Sequence, residues 1–246
     1  MTFRIHHRKV TVSTNLDARN GVPGDVFTAD EQTSGRGRLD HRWFSAPGKN
    51  LMLSVVLDVA DLSPERVATL PLAVGLAVHA TVSCALGPNL QDQNRSSGSS
   101  RTVRLKWPND VLVGGRKIAG ILCERNGDTV IAGVGVNVNQ TEFAPEIARR
   151  ATSLKCEGAS SSVEAVRDSL LAELGPIYGK WREGGFAVLQ ARYAEVDFLK
   201  GRSVSVRQTD DDALPLTGMC GGVQENGTLL VGGQFVYAGE AHVCGY

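Results

Sequence analysis

Two adjacent glycines near the middle of the chain impose the tightest constraint on its fold. Residues 110–113 and 116–124 have the composition of strands, and only Gly114-Gly115 separates them. A two-residue hairpin loop needs positive φ, which glycine adopts without steric cost. The pattern therefore predicts a β-hairpin with the two glycines at its tip. Residues 129–137 follow a second turn and extend the hairpin to an antiparallel three-stranded meander.

The segments around this meander predict further strands and two long helices. Residues 51–57 and 103–107 have the composition of strands. A Ser-Pro pair opens residues 63–86, where apolar side chains recur at helical spacing until a Gly-Pro pair ends the run. Residues 163–181 show the same spacing. We expect an α/β (α+β) fold in which helices flank a mixed or antiparallel sheet.

The C-terminal part of the chain has a different pattern. From Asp197 onward, short β-prone segments alternate with glycine pairs and with an aspartate run that is typical of a solvated turn. Such a pattern predicts a small β-barrel. We therefore divide the chain into a main domain, residues 1–196, and a barrel, residues 197–246. Residues 91–101 are polar and rich in serine, which indicates a surface insertion within the main domain.

Charge and cysteine usage argue against several classes of function. Lysine plus arginine and aspartate plus glutamate both number 26, so the overall positive field used for nucleic-acid binding is absent. Five cysteines without a CxxC pair favour reduced thiols over disulfides or a zinc site. No apolar signal region opens the chain, and residues 72–86, the longest apolar run, are too short to span a bilayer. We expect a cytoplasmic protein that binds neither nucleic acid nor membrane.

Two clusters of cations indicate chemistry on anions. Residues 32–38 form a glycine-rich loop with two arginines, and residues 106–120 place two lysines, an arginine and a carboxylate on the hairpin. In a uniform hairpin register, Asp110 lies diagonally across from Lys117 on one sheet face, about 7–8 Å away. A phosphate or a phosphate-bound magnesium ion fits between them, and the alternative is a surface ion pair of little energetic value. A site of this kind suits a reaction that joins an acid to a nucleotide.

Five short motifs occur in one order along the chain. They are Ser13-Thr14-Asn15, Gln32 with Gly35-Arg36-Gly37-Arg38, residues 106–110, residues 116–122 and residues 133–139, with Gly239-Glu240 further on. In this order the set resembles the catalytic part of biotin–protein ligases. The resemblance implies a class II synthetase-like domain and a Src-homology-3-like barrel. It also implies adenylation of biotin by ATP and transfer of the biotinyl group to one lysine of a biotin carboxyl carrier domain. A monomer or homodimer without the DNA-binding domain of some relatives is expected.

The resemblance implies roles for single residues. Lys117, Arg36 and Asp110 form the expected catalytic set, in which Lys117 neutralises charge as the biotin carboxylate attacks the α-phosphorus. Asp110 is also the expected magnesium ligand, since Mg²⁺ favours oxygen. The implied biotin-binding residues are Ser13, Thr14, Asn15, Gln32, Gly35, Arg36, Gly37, Arg38, Lys117, Gly120 and Gly135. The implied ATP-binding residues are Arg38, Trp43, Lys106, Asn109, Asp110, Lys117 and Asn137.

Several of these residues also have a structural alternative. Ser13 could cap a helix that starts near Leu16, and Trp43 could pack in the core instead of lying against adenine. Lys106 could point to solvent. Asn137 is a candidate for the adenine edge, and its alternative role is to close the end of a strand.

Three further expectations concern space and charge around the ligand. The glycines of residues 133–139 should leave room for ligand against the sheet. Asp40 puts a negative charge close to the phosphate path. Cys244 stands where some relatives carry an arginine, which favours a barrel that only covers one edge of the main domain.

Two other functions compete with biotin ligation. A lipoate ligase or octanoyl transferase belongs to the same superfamily, but a transferase that works through a thioester needs a reactive cysteine. Cys123 lies in an apolar strand, where an inert thiol is expected. A non-catalytic module that sequesters biotinyl-AMP or a nucleotide is the other alternative. Pure binding would not demand Arg36, Arg38, Asp110 and Lys117 together.

Overall fold

A seven-stranded mixed sheet forms the centre of the protein in a computed structural model that describes residues 1–39, 41–87, 102–207 and 214–244. The strand order is β1-β2-β3-β7-β6-β5-β4. Only β1 and β2 pair in parallel, and every other neighbouring pair is antiparallel. The predicted sheet class is confirmed. The strands are β1 (Arg4–Thr11), β2 (Asp25–Gln32), β3 (Leu51–Asp58), β4 (Val103–Lys106), β5 (Asp110–Val113), β6 (Arg116–Asn126) and β7 (Thr129–Val136).

Helices cover the sheet and complete its core. They are α1 (Thr14–Asp17), α2 (Pro64–Ala68), α3 (Leu70–Leu86), α4 (Val163–Gly184) and α5 (Ala187–Val196). The side chain of Ser63 accepts a hydrogen bond from Arg66 N–H, as its position before Pro64 predicts. Helix α3 packs against β4, β5, β6 and α4. Residues 64–86 are apolar and long enough to cross a membrane by composition alone. However, 61% of an 18-residue apolar stretch within them is buried inside the protein, as in a core helix.

The central hairpin has the predicted turn and a register that differs from the predicted one. Gly114 and Gly115 both adopt positive φ, at 55° and 81°. Leu112 faces Lys117 as expected, but Asp110 faces Gly120, because β6 contains one extra residue as a bulge. The uniform register assumed beyond Leu112 is therefore wrong.

A second, five-stranded antiparallel sheet follows α5, in the order β11-β10-β9-β8-β12. Its strands are β8 (Ser203–Arg207), β9 (Leu216–Val223), β10 (Leu229–Val231), β11 (Gln234–Val236) and β12 (Glu240–Val243). The division predicted after residue 196 falls at the end of α5, and we keep it as our proposal. The two sheets share one hydrophobic core, and Trp107 Nε1 of the main domain donates to the carbonyl of Gly227 at 3.1 Å. Asp40, residues 91–101 and residues 210–212, on which predictions were made, lie outside the described residues.

Candidate functional site

A pocket of about 130 Å³ opens over the ends of β5, β6 and β7, and it gathers most of the predicted site residues. Arg36 and Lys117 line the same pocket, although 81 positions separate them in sequence. The loop before β3, the hairpin and the C-terminal barrel all contribute. The lining residues are Ser13, Thr14, Asn15, Gln32, Arg36, Gly37, Arg38, His41, Arg42, Trp43, Met52, Leu53, Asn109, Asp110, Lys117, Gly120, Ile121, Leu122, Gly133, Val134, Gly135 and Glu240.

One end of the pocket is a network of neutral polar groups. The backbone N–H of Thr14 donates to Gln32 Oε1 at 2.7 Å. The hydroxyl of Ser54, which is fully buried, lies 2.7 Å from Thr14 Oγ1 and 2.5 Å from Asn15 Oδ1. Helix α1 starts at Thr14, and the side chain of Ser13 makes no capping bond. Ser13 is nevertheless the N-cap residue of α1, so the helix-cap alternative holds for its position and not for its side chain, whose buried hydroxyl belongs to the pocket wall.

Another part of the pocket carries Lys117 and Asp110 in direct contact, which is the ion pair given above as the alternative to a phosphate or magnesium ion between them. Lys117 Nζ lies 2.6 Å from Asp110 Oδ1 and 5.9 Å from the centre of the Trp43 ring. Lys106 faces Asp110 directly across the β4–β5 pair, and desolvation lowers the pKa of Lys106 while Asp110 opposes that shift. Lys106 is thus partly buried and does not point freely to solvent, which was its alternative role. Asn109 Nδ2 donates to the Ile121 carbonyl at 2.8 Å, which fixes the turn before β5.

The glycine-rich loop of residues 32–38, which we call the arginine loop, contacts Glu124 on one side and the backbone of Trp43 on the other. Arg36 Nη2 lies 3.0 Å from Glu124 Oε1, and the other oxygen of Glu124 accepts from Asn15 Nδ2 at 2.6 Å. Glu124 thereby joins the loop to the polar end of the pocket. Gly35 does not line the pocket. Its backbone lies so close to the Trp43 carbonyl that an added Cβ would be 2.5 Å from the carbonyl oxygen. Its predicted contact with biotin is corrected to a role in the close approach of the loop backbone.

The barrel reaches into the pocket through Glu240. Desolvation lowers the pKa of Arg38, and the charges of Glu240 and Asp110 oppose that shift. Arg38 Nη1 also contacts the Gly239 carbonyl at 3.4 Å, and His41 Nδ1 lies 3.6 Å from Glu240. The expectation that the barrel only covers an edge is therefore wrong. Cys244 lies exposed at the end of the barrel and is absent from the pocket lining.

The glycines of β6 and β7 make room for protein side chains. A Cβ on Gly133 would lie 2.2 Å from Asn15 Oδ1, and one on Gly135 would lie 2.5 Å from the Trp43 ring. We expected these glycines to leave space for ligand directly, and the structure corrects this: Asn15 and Trp43 occupy the space and form the pocket wall. Trp43 therefore does not pack in the core. Its Nε1 is buried and has no hydrogen-bond partner among the described residues.

Asn137 lies outside the pocket lining. Its Nδ2 donates to the Thr152 carbonyl at 2.9 Å, and its backbone N–H donates to the Ile118 carbonyl. The structural alternative, a residue that closes the end of a strand, describes Asn137, and its assignment to ATP is corrected accordingly. Sequence reasoning missed several lining residues, among them His41, Arg42 and Met52, and also Ser54 and Glu124, which hold lining residues in place. The latter two are isolated polar positions in strands, and only the partners that face them identify them.

Around Asp110 the protein offers few ligands for a magnesium ion. The described residues contain no group of three His, Cys, Asp or Glu side chains able to hold a metal ion. Magnesium commonly keeps its waters and binds one or two carboxylates together with nucleotide phosphates. Asp110 fits that pattern as a single protein ligand beside bound phosphates.

Comparisons with known proteins agree with the geometry of the pocket. A family model described as biotin/lipoate A/B protein ligase matches residues 7–140. A biotin--[acetyl-CoA-carboxylase] ligase of Mycobacterium tuberculosis is 34% identical over 95% of this chain and 85% of its own length. The bifunctional ligase/repressor BirA of Bacillus spizizenii is 28% identical, and the chain spans 63% of that relative's length. The solved biotin protein ligase of Aquifex aeolicus in complex with biotin and ATP matches with a TM-score of 0.82 at 26% identity, covering 97% of this chain and 98% of that one.

Proposed function

Because the chain belongs to the biotin/lipoate A/B protein ligase family, we propose that it is an ATP-dependent biotin–protein ligase. It forms biotinyl-5'-AMP from biotin and ATP and transfers the biotinyl group to a lysine of a biotin carboxyl carrier domain. One observation carries the proposal: the Lys117–Asp110 pair and the loop arginines Arg36 and Arg38 line one pocket together with the polar groups of Thr14, Asn15 and Gln32.

The two ends of the pocket suit the two ends of biotin. A ureido ring that enters a closed pocket needs a partner for each donor and acceptor, because an unmatched buried polar group is costly. Thr14, Asn15 and Gln32 supply hydroxyl and amide groups already ordered by Ser54. The carboxylate of biotin then points toward Lys117. Trp43 and Asn109 line the side on which we place the nucleotide.

In the first half-reaction a carboxylate oxygen of biotin attacks the α-phosphorus of ATP, and the bond to the departing pyrophosphate breaks. Two anions approach each other in this step, so cations that contact both lower the barrier. Lys117 and Arg38, which line the same pocket, supply that charge. A magnesium ion carried by the triphosphate would find Asp110 as its protein ligand and would neutralise further phosphate charge.

The second half-reaction needs no nucleophile from this chain. The amine of the carrier lysine attacks the carbonyl carbon of the adenylate, AMP leaves with the electron pair of the broken C–O bond, and the ammonium proton passes to solvent. A thioester route through Cys123 finds no support. This cysteine is partly buried, and desolvation raises the pKa of its thiol to about 12, so the nucleophilic thiolate is scarce at neutral pH.

The names of the relatives support the proposed partner. A ligase of Mycobacterium tuberculosis and one of Paracoccus denitrificans are both named for acetyl-CoA-carboxylase. We propose that the carrier domain of a biotin-dependent carboxylase is the partner here as well. We also propose that the reaction takes place in the cytoplasm, and the five unpaired cysteines are consistent with a reducing compartment.

Mass spectrometry of a biotin carrier domain tests the proposal. The carrier is incubated with this protein, ATP, magnesium and biotin, and we expect one biotinyl group on one lysine. Replacing biotin with lipoate is the matched control and should give no modification. If biotin binds without pyrophosphate release, the protein is a binding module, and if lipoate is attached instead, the substrate assignment is wrong.

A further inference from the structure

Arg116 stands beside Lys117 in the hairpin motif, yet neither half-reaction uses it. Its Nη2 lies 2.5 Å from Oε1 of Glu157, whose side chain is only 3% exposed. Thr152 Oγ1 donates to the same oxygen at 2.5 Å. A buried carboxylate is costly unless it is paired and hydrogen-bonded. The guanidinium and the hydroxyl therefore explain how Glu157 is tolerated in the interior.

Thr152 belongs to a segment that runs beside Lys117. Strand β7 ends at Val136, opposite Ala119, so Lys117 lies beyond the last β7 residue that could pair with it. Residues 150–152 take the place of β7 there. Lys117 N–H donates to the Arg150 carbonyl at 2.7 Å, and Thr152 N–H donates to the Lys117 carbonyl at 2.9 Å.

Asn137 fastens the same segment from its other side. Its carbonyl accepts from Leu154 N–H at 3.1 Å, and its Nδ2 donates to the Thr152 carbonyl. Residues 150–154 are irregular backbone, so these bonds and the link from Thr152 to Glu157 fix their position. The direction of the Lys117 side chain follows from its backbone, and the Nζ–Asp110 contact of 2.6 Å follows from that direction.

We propose that Glu157 is a positioning residue for Lys117, an inference that rests on the proposed ligase function. Through Arg116 and Thr152, the buried carboxylate clamps residues 150–152 against the backbone of Lys117. Removal of the Glu157 carboxylate should loosen the backbone at Lys117 and leave the polar end of the pocket intact, since Thr14 and Asn15 are held there by Gln32, Ser54 and Glu124. Misplacement of a reacting group by about 1 Å can cost about 100-fold in rate.

Substitution Glu157→Ala tests the clamp with two independent readouts. The first is amide hydrogen exchange at Lys117 and Thr152, which should become faster. The second is biotin-dependent pyrophosphate release, for which kcat should fall by about 10- to 100-fold while the KM for biotin stays within about threefold. Glu157→Gln keeps an acceptor for the Thr152 hydroxyl and should restore most of kcat. Glu146→Ala removes an exposed glutamate four positions before Arg150. It is the matched control and should change neither readout.

Each outcome supports or overturns the inference. Unchanged exchange at both amides in Glu157→Ala would refute the clamp. Faster exchange with an unchanged kcat, or with a biotin KM that rises as much as kcat falls, would refute the positioning role. If Glu157→Ala does not fold, Thr152→Val removes the hydroxyl link at nearly constant shape and is judged by the same readouts. A wild-type protein that releases no pyrophosphate with biotin would sink the proposed function, and the exchange data would still decide whether the clamp exists.

Discussion

At the scale of single residues, the Lys117–Asp110 pair shows what alternation along a strand can and cannot predict. Alternation placed the two residues on one sheet face with a phosphate or magnesium ion expected between them, but they instead form the direct ion pair that was given as the alternative. The register behind that placement was wrong, because the extra residue in β6 shifts Asp110 opposite Gly120. Next to this bulge, Lys117 bonds to residues 150–152, which lie more than thirty positions away. No local pattern contains that information.

Loss of the Lys117 ammonium should stop adenylation. The proposed role of Lys117 is to neutralise charge in the transition state, and removing one such group typically costs at least about 100-fold in kcat. We expect Lys117→Ala to lower biotin-dependent pyrophosphate release by that factor or more. Lys155→Ala, an exposed lysine, is the control and should retain the wild-type rate. Wild-type release by Lys117→Ala would contradict the assignment.

Gly135 shows how a missing side chain builds the site. A Cβ at this position would lie 2.5 Å from the Trp43 ring, so Gly135→Ala must displace the indole. We expect a change in Trp43 fluorescence and a loss of stability of about 1–3 kcal/mol, the usual cost of overpacking. Gly179→Ala is the control: it lies within α4 with no atom within 4 Å of the added Cβ, and alanine should stabilise the helix by about 0.5–1 kcal/mol. Urea unfolding gives the stability of both variants, and equal free energies of unfolding would refute the expected overpacking in Gly135→Ala.

At the scale of elements, the strands from β3 to β7 and the long helices were predicted, whereas β1 and β2 were not. The apolar spacing of α4 and the glycine pair of the hairpin are local signals. Strand β1 is exposed over nearly all its length and is rich in charged and histidine residues, so it lacks the alternation that marks a half-buried strand. It exists because it pairs in parallel with β2, a contact that sequence periodicity does not encode.

Asp25 links β1 to β2 and should make their docking sensitive to acid. Its carboxylate accepts from Val22 N–H, from His6 and from Arg4, and these bonds, the one from Val22 first, lower the pKa of Asp25 from 3.8 to about 2. Because the pKa of Asp25 is lower in the folded state than in the unfolded state, its carboxylate stabilises the fold at pH values above the unfolded pKa. This contribution is lost as the pH falls from about 4 to about 2.

The measurement is urea unfolding of wild type and Asp25→Asn between pH 5 and pH 2. The wild type should lose stability through that window, and Asp25→Asn should start less stable and show a flatter curve. Asp128→Asn, an exposed aspartate in the turn before β7, serves as the control and should follow the wild type. Parallel curves for wild type and Asp25→Asn would show that this carboxylate does not contribute.

At the scale of the whole molecule, the glycine-rich C-terminal pattern predicted a second sheet, and the sheet is present. Its involvement in the pocket could not be predicted, because Glu240 comes close to Arg38 only through the way the barrel docks on the main domain. That docking buries Trp107, whose indole N–H binds the Gly227 carbonyl, and the barrel residues Val204 and Leu229 belong to the same core as β3 and α3. The barrel is therefore a wall of the catalytic pocket.

A shared core predicts that the barrel and the main domain unfold together. All helices lie in the main domain, so far-UV circular dichroism reports that part, and hydrogen exchange of β8 to β12 reports the barrel. We expect coincident urea transitions, and Trp107→Phe should move both to lower urea, since the half-buried Gly227 carbonyl loses its indole donor, a loss of about 0.5–1.5 kcal/mol. Tyr237→Phe, at a tyrosine that is 79% exposed, should move neither. A barrel that loses protection while the helical signal persists would show two independent folding units, and Glu240 could then leave the pocket without global unfolding.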